Sequence, residues 1–217
     1  MPELGQLSIN IYKPFKKLSK PYLKRVDFVA KLKGIDYKVT NIVASANLGL
    51  ELDLFTLARE IPEIEYEPEQ FPGAILKFED PKATLLLFKN GKVVCVGCKT
   101  KVAIERTIGK TLKMLKPKAK KITKTMKKPK FEITNIVASA SLGMGLDLYT
   151  IAYEVEDVEY EPEQFPGAIL KFREPKASLL LFKNGKVICA GSRDEKSIQK
   201  ALRKAKKILK PFASKKG

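Results

Sequence analysis

TNIVASANLGLELDLFTLA at 40–58 returns as TNIVASASLGMGLDLYTIA at 134–152, an offset of 94 residues. The same offset carries EYEPEQFPGAILKF from 65–78, unchanged, to 159–172, and LLLFKNGKV from 85–93 to 179–187. Pairing 39–99 with 133–193 matches 43 of 61 positions, which identifies an internal duplication. The chain therefore divides into a basic N-terminal extension (1–38), a first repeat (39–115), a connector (116–130), a second repeat (131–210) and a short basic tail (211–217). The connector, KPKAKKITKTMKKPK, holds eight lysines and no acid. It reads as a solvated linker, or as a contact to a nucleic-acid backbone. The extension has nine basic and three acidic residues. It reads as a basic arm, with a helical stripe of Tyr22, Val26 and Val29 as the alternative.

The 217 residues carry 42 Lys and Arg against 24 Asp and Glu, a formal charge of +18. A balance so basic points to polyanionic partners, nucleic acid or an anionic surface, and says little about fold. With no histidine in the chain, Ser-His-Asp and Cys-His catalysis and His-ligated metal sites are excluded. Three cysteines cannot staple a chain of this length, and the odd count suits a reducing compartment. No segment is apolar enough for a signal peptide or a membrane span, so the expected protein is soluble and cytoplasmic, with no membrane partner.

Each repeat reads as α+β. Val39–Ala46 is β-branched and apolar, a strand; Leu52–Glu60, with Asp53 near its start, suits a short helix. Ala74–Phe78, Thr84–Phe88 and Lys92–Gly97 read as strands, the last two joined at Asn90-Gly91, the strongest short hairpin signal. A basic amphipathic helix spans about 101–115 on a stripe of Val102, Ile104, Ile108, Leu112 and Leu115.

A sheet covered on one side alternates apolar and polar residues. Thr84–Phe88 and Val93–Val96 are instead apolar on both parities, and two helices per repeat cover only one face. The second face meets the other repeat in a sandwich, a second chain, or a ligand. Phe71 and Phe88, with Phe165 and Phe182 as their repeat partners, sit at loop edges. They are core residues or wedges that part stacked bases.

The duplicated Asn-Ile-Val strand, the Tyr-Glu-Pro-Glu-Gln-Phe-Pro-Gly loop and the Leu-Phe-x-x-Gly-Lys-Val hairpin together resemble the archaeal form of the TATA-box-binding family, from 39 to about 210. The resemblance implies a saddle: two pseudo-symmetric repeats forming one curved antiparallel sheet, helices on the convex side, and a concave face that binds and bends promoter DNA without catalysis or cofactor. It implies base-edge donors at Asn41 and Asn135 and an apolar floor of Val43, Val137, Leu86, Leu180, Val94 and Ile188. The wedges would be Phe71, Phe88, Phe165 and Phe182, beside Pro72 and Pro166. Phosphate contacts would come from Lys77, Lys171, Lys92, Lys186, Lys99 and Arg193. Glu161 and Glu163 resemble acids that meet transcription factor B, through which RNA polymerase is reached indirectly. The protein would act as a monomer on DNA, with a dimer off DNA left open, in an archaeal cell at the nucleoid.

Two departures stand out. Val96 and Ala190 replace threonines usual in the family, and lysine replaces arginine at Lys77 and Lys171, keeping charge but losing planar geometry. A low-specificity architectural paralogue is the runner-up, and a saddle-fold module of a nucleic-acid enzyme the third reading. Cys95-Val-Gly-Cys98 spells C-x-x-C, but no second pair completes a metal site, and Ser192 replaces Cys98 in the second repeat. If Leu86, Phe88, Val94 and Val96 face DNA, as the resemblance implies, strand parity places Cys95 and Cys189 in the core.

Six matched cations set an expected slope of log K against log salt of roughly −5, at about 0.9 per phosphate. Filter binding of a duplex across a salt series measures it. A much steeper slope would place the extension, connector or tail on phosphates as well.

Overall fold

A computed structural model describes residues 29–32, 35–125 and 128–214. The first half runs β1 (Val29–Leu32), β2 (Ile35–Asn47), β3 (Leu50–Glu51), α1 (Leu54–Glu60), β4 (Ile64–Glu65), β5 (Ala74–Glu79), β6 (Lys82–Leu87), β7 (Lys92–Cys98) and α2 (Lys101–Leu115). After β8 (Lys121–Ile122) the second half repeats the order. It runs β9 (Phe131–Ser141), β10 (Gly145–Leu146), α3 (Leu148–Glu154), β11 (Val158–Glu159), β12 (Ala168–Phe172), β13 (Ala177–Leu181), β14 (Lys186–Ser192), α4 (Glu195–Leu209) and β15 (Ala213–Ser214).

Ten strands form one path, β11-β12-β13-β14-β9-β2-β7-β6-β5-β4, with β1 also paired to β2, every pairing antiparallel. The repeats meet edge to edge through β2 and β9, where Ile42 opposes its own repeat equivalent Ile136. A sandwich of the two repeats is thereby ruled out: they share one sheet, and their apolar faces lie side by side.

One face of that sheet is the core. Leu85, Leu87, Val93 and Cys95, with Leu179, Leu181, Val187 and Cys189, are buried there, against α2 on β7 and α4 on β14, β13 and β9. Helix α2 faces inward with Ile104, Ile108, Leu112 and Leu115. Val102, expected in that stripe, is 73% exposed. It falls in the first turn on the solvent side, and further along the helix Thr107 and Thr111 are buried, each hydroxyl donating to the carbonyl four residues back.

Helix starts follow their capping residues. Asp53 and Asp147 accept the N–H groups of Phe55 and Thr56, and of Tyr149 and Thr150, so α1 begins at Leu54 and not at Leu52 as the sequence suggested. Thr100 accepts from Ala103 and Asp194 from Ser197 at the starts of α2 and α4. The Asn-Gly hairpins put Gly91 and Gly185 at φ of +76° and +75°. A Cβ at Gly91 would also come within 2.1 Å of the Leu50 carbonyl oxygen, so two independent constraints call for glycine there.

Residues 29–32 and 35–38, assigned to the extension on charge, enter the sheet as β1 and the start of β2. Ile35, Tyr37 and Val39 alternate into the core, and Gln199 on α4 donates to the Tyr37 hydroxyl at 2.8 Å. Val29 is thus in a strand and not a helical stripe; Tyr22 and Val26 lie outside the described residues, as do 215–217 of the tail. The connector is likewise tied down. Its Lys118, Lys120 and Lys128 pair with Glu60, Glu51 and Glu105, and β8 pairs with β3, so part of its charge is spent inside the protein. Among the described residues, no helix is long and apolar enough to cross a membrane.

Ile108→Ala should cost about 2–5 kcal/mol, the range for a truncated core aliphatic, whereas Val102→Ala should stay within about 0.5 kcal/mol, as surface changes do. Urea unfolding of both variants measures the contrast.

Candidate nucleic-acid interface

Among the described residues, the face opposite the helices carries no covering layer. Along β7 it shows Lys92, Val94 and Val96, followed by Lys99; along β6, Lys82, Thr84 and Leu86, followed by Phe88. The second repeat matches with Lys186, Ile188, Ala190 and Arg193, then Lys176, Ser178 and Leu180, followed by Phe182. The apolar members are half-buried by their neighbours, with Ile188 37% exposed. Ile75 and Ile169 extend this floor, opposite Leu86 and Leu180. Sequence reasoning missed both, though counting back by twos from Lys77 and Lys171 finds them.

At the centre, β2 and β9 place Asn41 against Val137 and Val43 against Asn135. Both outer neighbours bulge at this level, between Cys95 and Cys98 on β7 and between Cys189 and Ser192 on β14. Gly97 and Gly191 take φ of +92° and +91° there. A bulge leaves a backbone N–H outside the ladder, and that donor needs an acceptor. The asparagines provide it: Gly97 N–H donates to Asn41 Oδ1 at 2.7 Å and Gly191 N–H to Asn135 Oδ1 at 2.8 Å. With each carbonyl oxygen held by a backbone donor, each Nδ2 group is left with two N–H donors and no protein partner among the described residues. Thr40 and Thr134 brace the same crossing by donating to the carbonyls of Val137 and Val43.

At the two ends of the face, Phe71 packs edge-to-face on Phe88 and Phe165 on Phe182, with ring centroids 6.0 Å apart in both pairs. Phe165 is 39% exposed. The hairpin fixes one ring of each pair, since Gly91 and Gly185 N–H groups donate back to Phe88 and Phe182 carbonyls. The loop fixes the other: Phe71 and Phe165 N–H groups donate to Glu67 and Glu161 carbonyls. Gly73 and Gly167 make room between the rings, for a Cβ at Gly167 would lie 2.7 Å from Phe165 Cε1 and 3.2 Å from Phe182 Cε1. Pro72 and Pro166 follow the outer rings on the exposed side.

The cations form the rim. Lys92, Lys186 and Lys99 have no acidic partner among the described residues. Lys77 and Lys171 are held by Glu65 and Glu159 at 2.7 and 2.5 Å, and Arg193 lies 3.4 Å from Glu132. Glu161 and Glu163 stand exposed in the loop of the second repeat. Cys95 and Cys98 face the core with sulfurs 3.8 Å apart. The hydrogen bond shared with Cys98, together with burial, holds the Cys95 thiol well above its ordinary range, and burial pushes Cys189 up to about 12. Among the described residues, no group of acids and cysteines is placed to hold a metal.

A family model described as transcription factor TFIID (or TATA-binding protein, TBP) matches residues 36–118 and 130–212, both repeats. The TATA-box-binding protein of Pyrobaculum calidifontis is 39% identical over 178 residues, covering 82% of this chain and 88% of that protein. That of Thermococcus celer is 38% identical over 181 residues, covering 83% and 94%. The solved structure of Methanococcus jannaschii TBP superposes with a TM-score of 0.74 at 40% identity, covering 81% of this chain and 98% of that one.

Replacing both spacer glycines (Gly73→Ala with Gly167→Ala) should force the paired rings apart. The expected result is roughly tenfold weaker binding to a DNA duplex, with far-UV circular dichroism unchanged. Fluorescence anisotropy with a labelled duplex reads the loss.

Proposed function

The chain belongs to the TATA-binding-protein family, a family of general transcription factors and not of enzymes, and on that premise we propose how it acts on DNA. The concave face of the saddle enters the minor groove of a promoter TATA element, opens it, and bends the duplex at two steps wedged by phenylalanine pairs. The observation that carries this reading is the pair of asparagines pinned by bulge glycines. In the minor groove an A·T pair offers only acceptors, adenine N3 and thymine O2, in either orientation, whereas a G·C pair adds the guanine amino donor. Two Nδ2 donors at the centre of an apolar floor therefore favour A·T pairs and oppose G·C.

The rest of the face suits an opened groove. Val43, Val94, Val96, Leu86 and Ile75, with their equivalents in the second repeat, cover sugar and base edges released from water. Burial at about 25 cal/mol per Å² offsets unstacking, which costs a few kcal/mol per step. Lys92, Lys186 and Lys99 reach phosphates from the rim, joined by Lys77, Lys171 and Arg193. The exposed acids Glu161 and Glu163 present the second repeat's loop to transcription factor B, which brings RNA polymerase to the bent promoter.

Low-specificity architectural binding is favoured by Val96 and Ala190, which leave the floor with fewer hydrogen-bonding groups. Bending read by energy transfer between end labels separates the two. A TATA duplex should bend strongly at physiological salt, and a scrambled duplex of equal composition should not. Equal bending of both would select the architectural reading, and tight binding without bending would overturn the wedge mechanism.

A further inference from the structure

Beside the apolar floor, on the outer strands β6 and β13, each repeat holds a hydroxyl that the assignments above do not use. Thr84 on β6 stands opposite Val96 on one side and opposite Lys77 on the other. Ser178 on β13 has the same neighbours in the second repeat, Ala190 and Lys171. Both side chains lie on the open face, half-buried, and neither hydroxyl has a partner among the described residues. Each thus marks the seam where the floor ends and the cationic rim begins. Directly opposed side chains on neighbouring strands have Cβ atoms about 4.5–5.5 Å apart, so hydroxyl and ammonium can converge on one small anion.

We propose that Thr84 with Lys77, and Ser178 with Lys171, form two clasps for DNA phosphates, each guarded by an acid. The inference rests on the DNA-binding reading and adds residues to it. A hydroxyl and an ammonium supply two kinds of donor that DNA-binding proteins use on phosphate oxygens, and the outward cationic neighbour favours the backbone over base edges as the target. Glu65 and Glu159 occupy the two ammonium groups in the free protein. An incoming phosphate takes each lysine from its carboxylate. The released carboxylate recruits a cation from solution, which cancels part of the counterion release that drives binding and brings the wild-type slope below that of six free cations.

Binding of a TATA duplex by the full chain, with wild type in parallel, tests the clasp. Glu65→Gln with Glu159→Gln should tighten binding several-fold and steepen the salt slope by up to about 1.8, or about 0.9 for each freed lysine. Thr84→Val with Ser178→Ala should weaken binding about three- to tenfold, leaving the salt slope and the preference for TATA over scrambled DNA unchanged. A scan of single neutral methylphosphonates should find one position in each half-site where wild type loses affinity and the hydroxyl variant loses no more. Glutamine variants indistinguishable from wild type, or a hydroxyl loss confined to duplexes carrying adenine N3, would overturn the proposal. Failure of wild type itself to prefer and bend the TATA duplex would instead count against the promoter-binding reading, a separate outcome in the same experiment.

Discussion

Antiparallel pairing of Ile35–Asn47 with Phe131–Ser141 makes two repeats into one sheet, and most of what this molecule does depends on it. Each repeat alone would end at β2 or β9 with an open strand edge, a template for indiscriminate pairing. Joining those edges removes both liabilities at once. It also aligns the faces opposite the helices into one continuous surface. With α2 and α4 on the other side, that surface is left uncovered among the described residues, and an apolar floor running between the two phenylalanine pairs is the result. Large exposed apolar patches are unusual in monomers and mark binding sites; here the patch follows from the topology.

Tight control of a few polar groups within that floor comes from backbone irregularity. The bulges at Gly97 and Gly191 interrupt the ladder beside the centre, and each leaves an N–H that the sheet cannot satisfy. Asn41 and Asn135 meet that need with their oxygens. In doing so they are fixed in the one amide orientation that presents donors outward. The structural requirement and the proposed recognition chemistry thus select the same residue type. A leucine there would leave a backbone donor unpaired, and an aspartate would accept the N–H but offer no donor to the groove.

Much of this was legible in the sequence, for reasons that differ by feature. The duplication needs only self-comparison, and strand parity then separated the core side, Leu85, Leu87 and Cys95, from the open side, Leu86, Val94 and Val96. Helix α2 was bounded correctly at 101–115 because its amphipathic run has a clear beginning and end. The start of the sheet was not legible. The basic residues of 1–38 masked the Ile35-x-Tyr37-x-Val39 alternation, which identifies a strand only once α4 is known to lie beneath it. The connector's lysines read as free charge because their partners, Glu51, Glu60 and Glu105, are distant in sequence. Thr84 and Ser178 escaped notice because an apolar floor was sought, and hydroxyls do not stand out against that pattern. The asparagines' roles came from resemblance; their hydrogen bonds to the bulges needed coordinates.

The charge distribution follows the same division of labour. A formal charge of +18 would repel itself if it were evenly spread, and a free polyanion-binding face of unpaired lysines would bind any nucleic acid. Placing Glu65 and Glu159 against Lys77 and Lys171 moderates both effects at little energetic expense. Exposed ion pairs of this kind contribute about 0–1 kcal/mol, so the fold does not depend on them and a phosphate can exchange for the carboxylate without unfolding anything. In the proposed mode of binding, the unguarded Lys92, Lys186 and Lys99 supply attraction at a distance. The guarded pair responds only when a phosphate arrives close enough to compete with a carboxylate already in contact. On that proposal, long-range attraction and short-range fit are carried by different lysines on one rim, and only the second group is sensitive to how closely the DNA backbone follows the saddle.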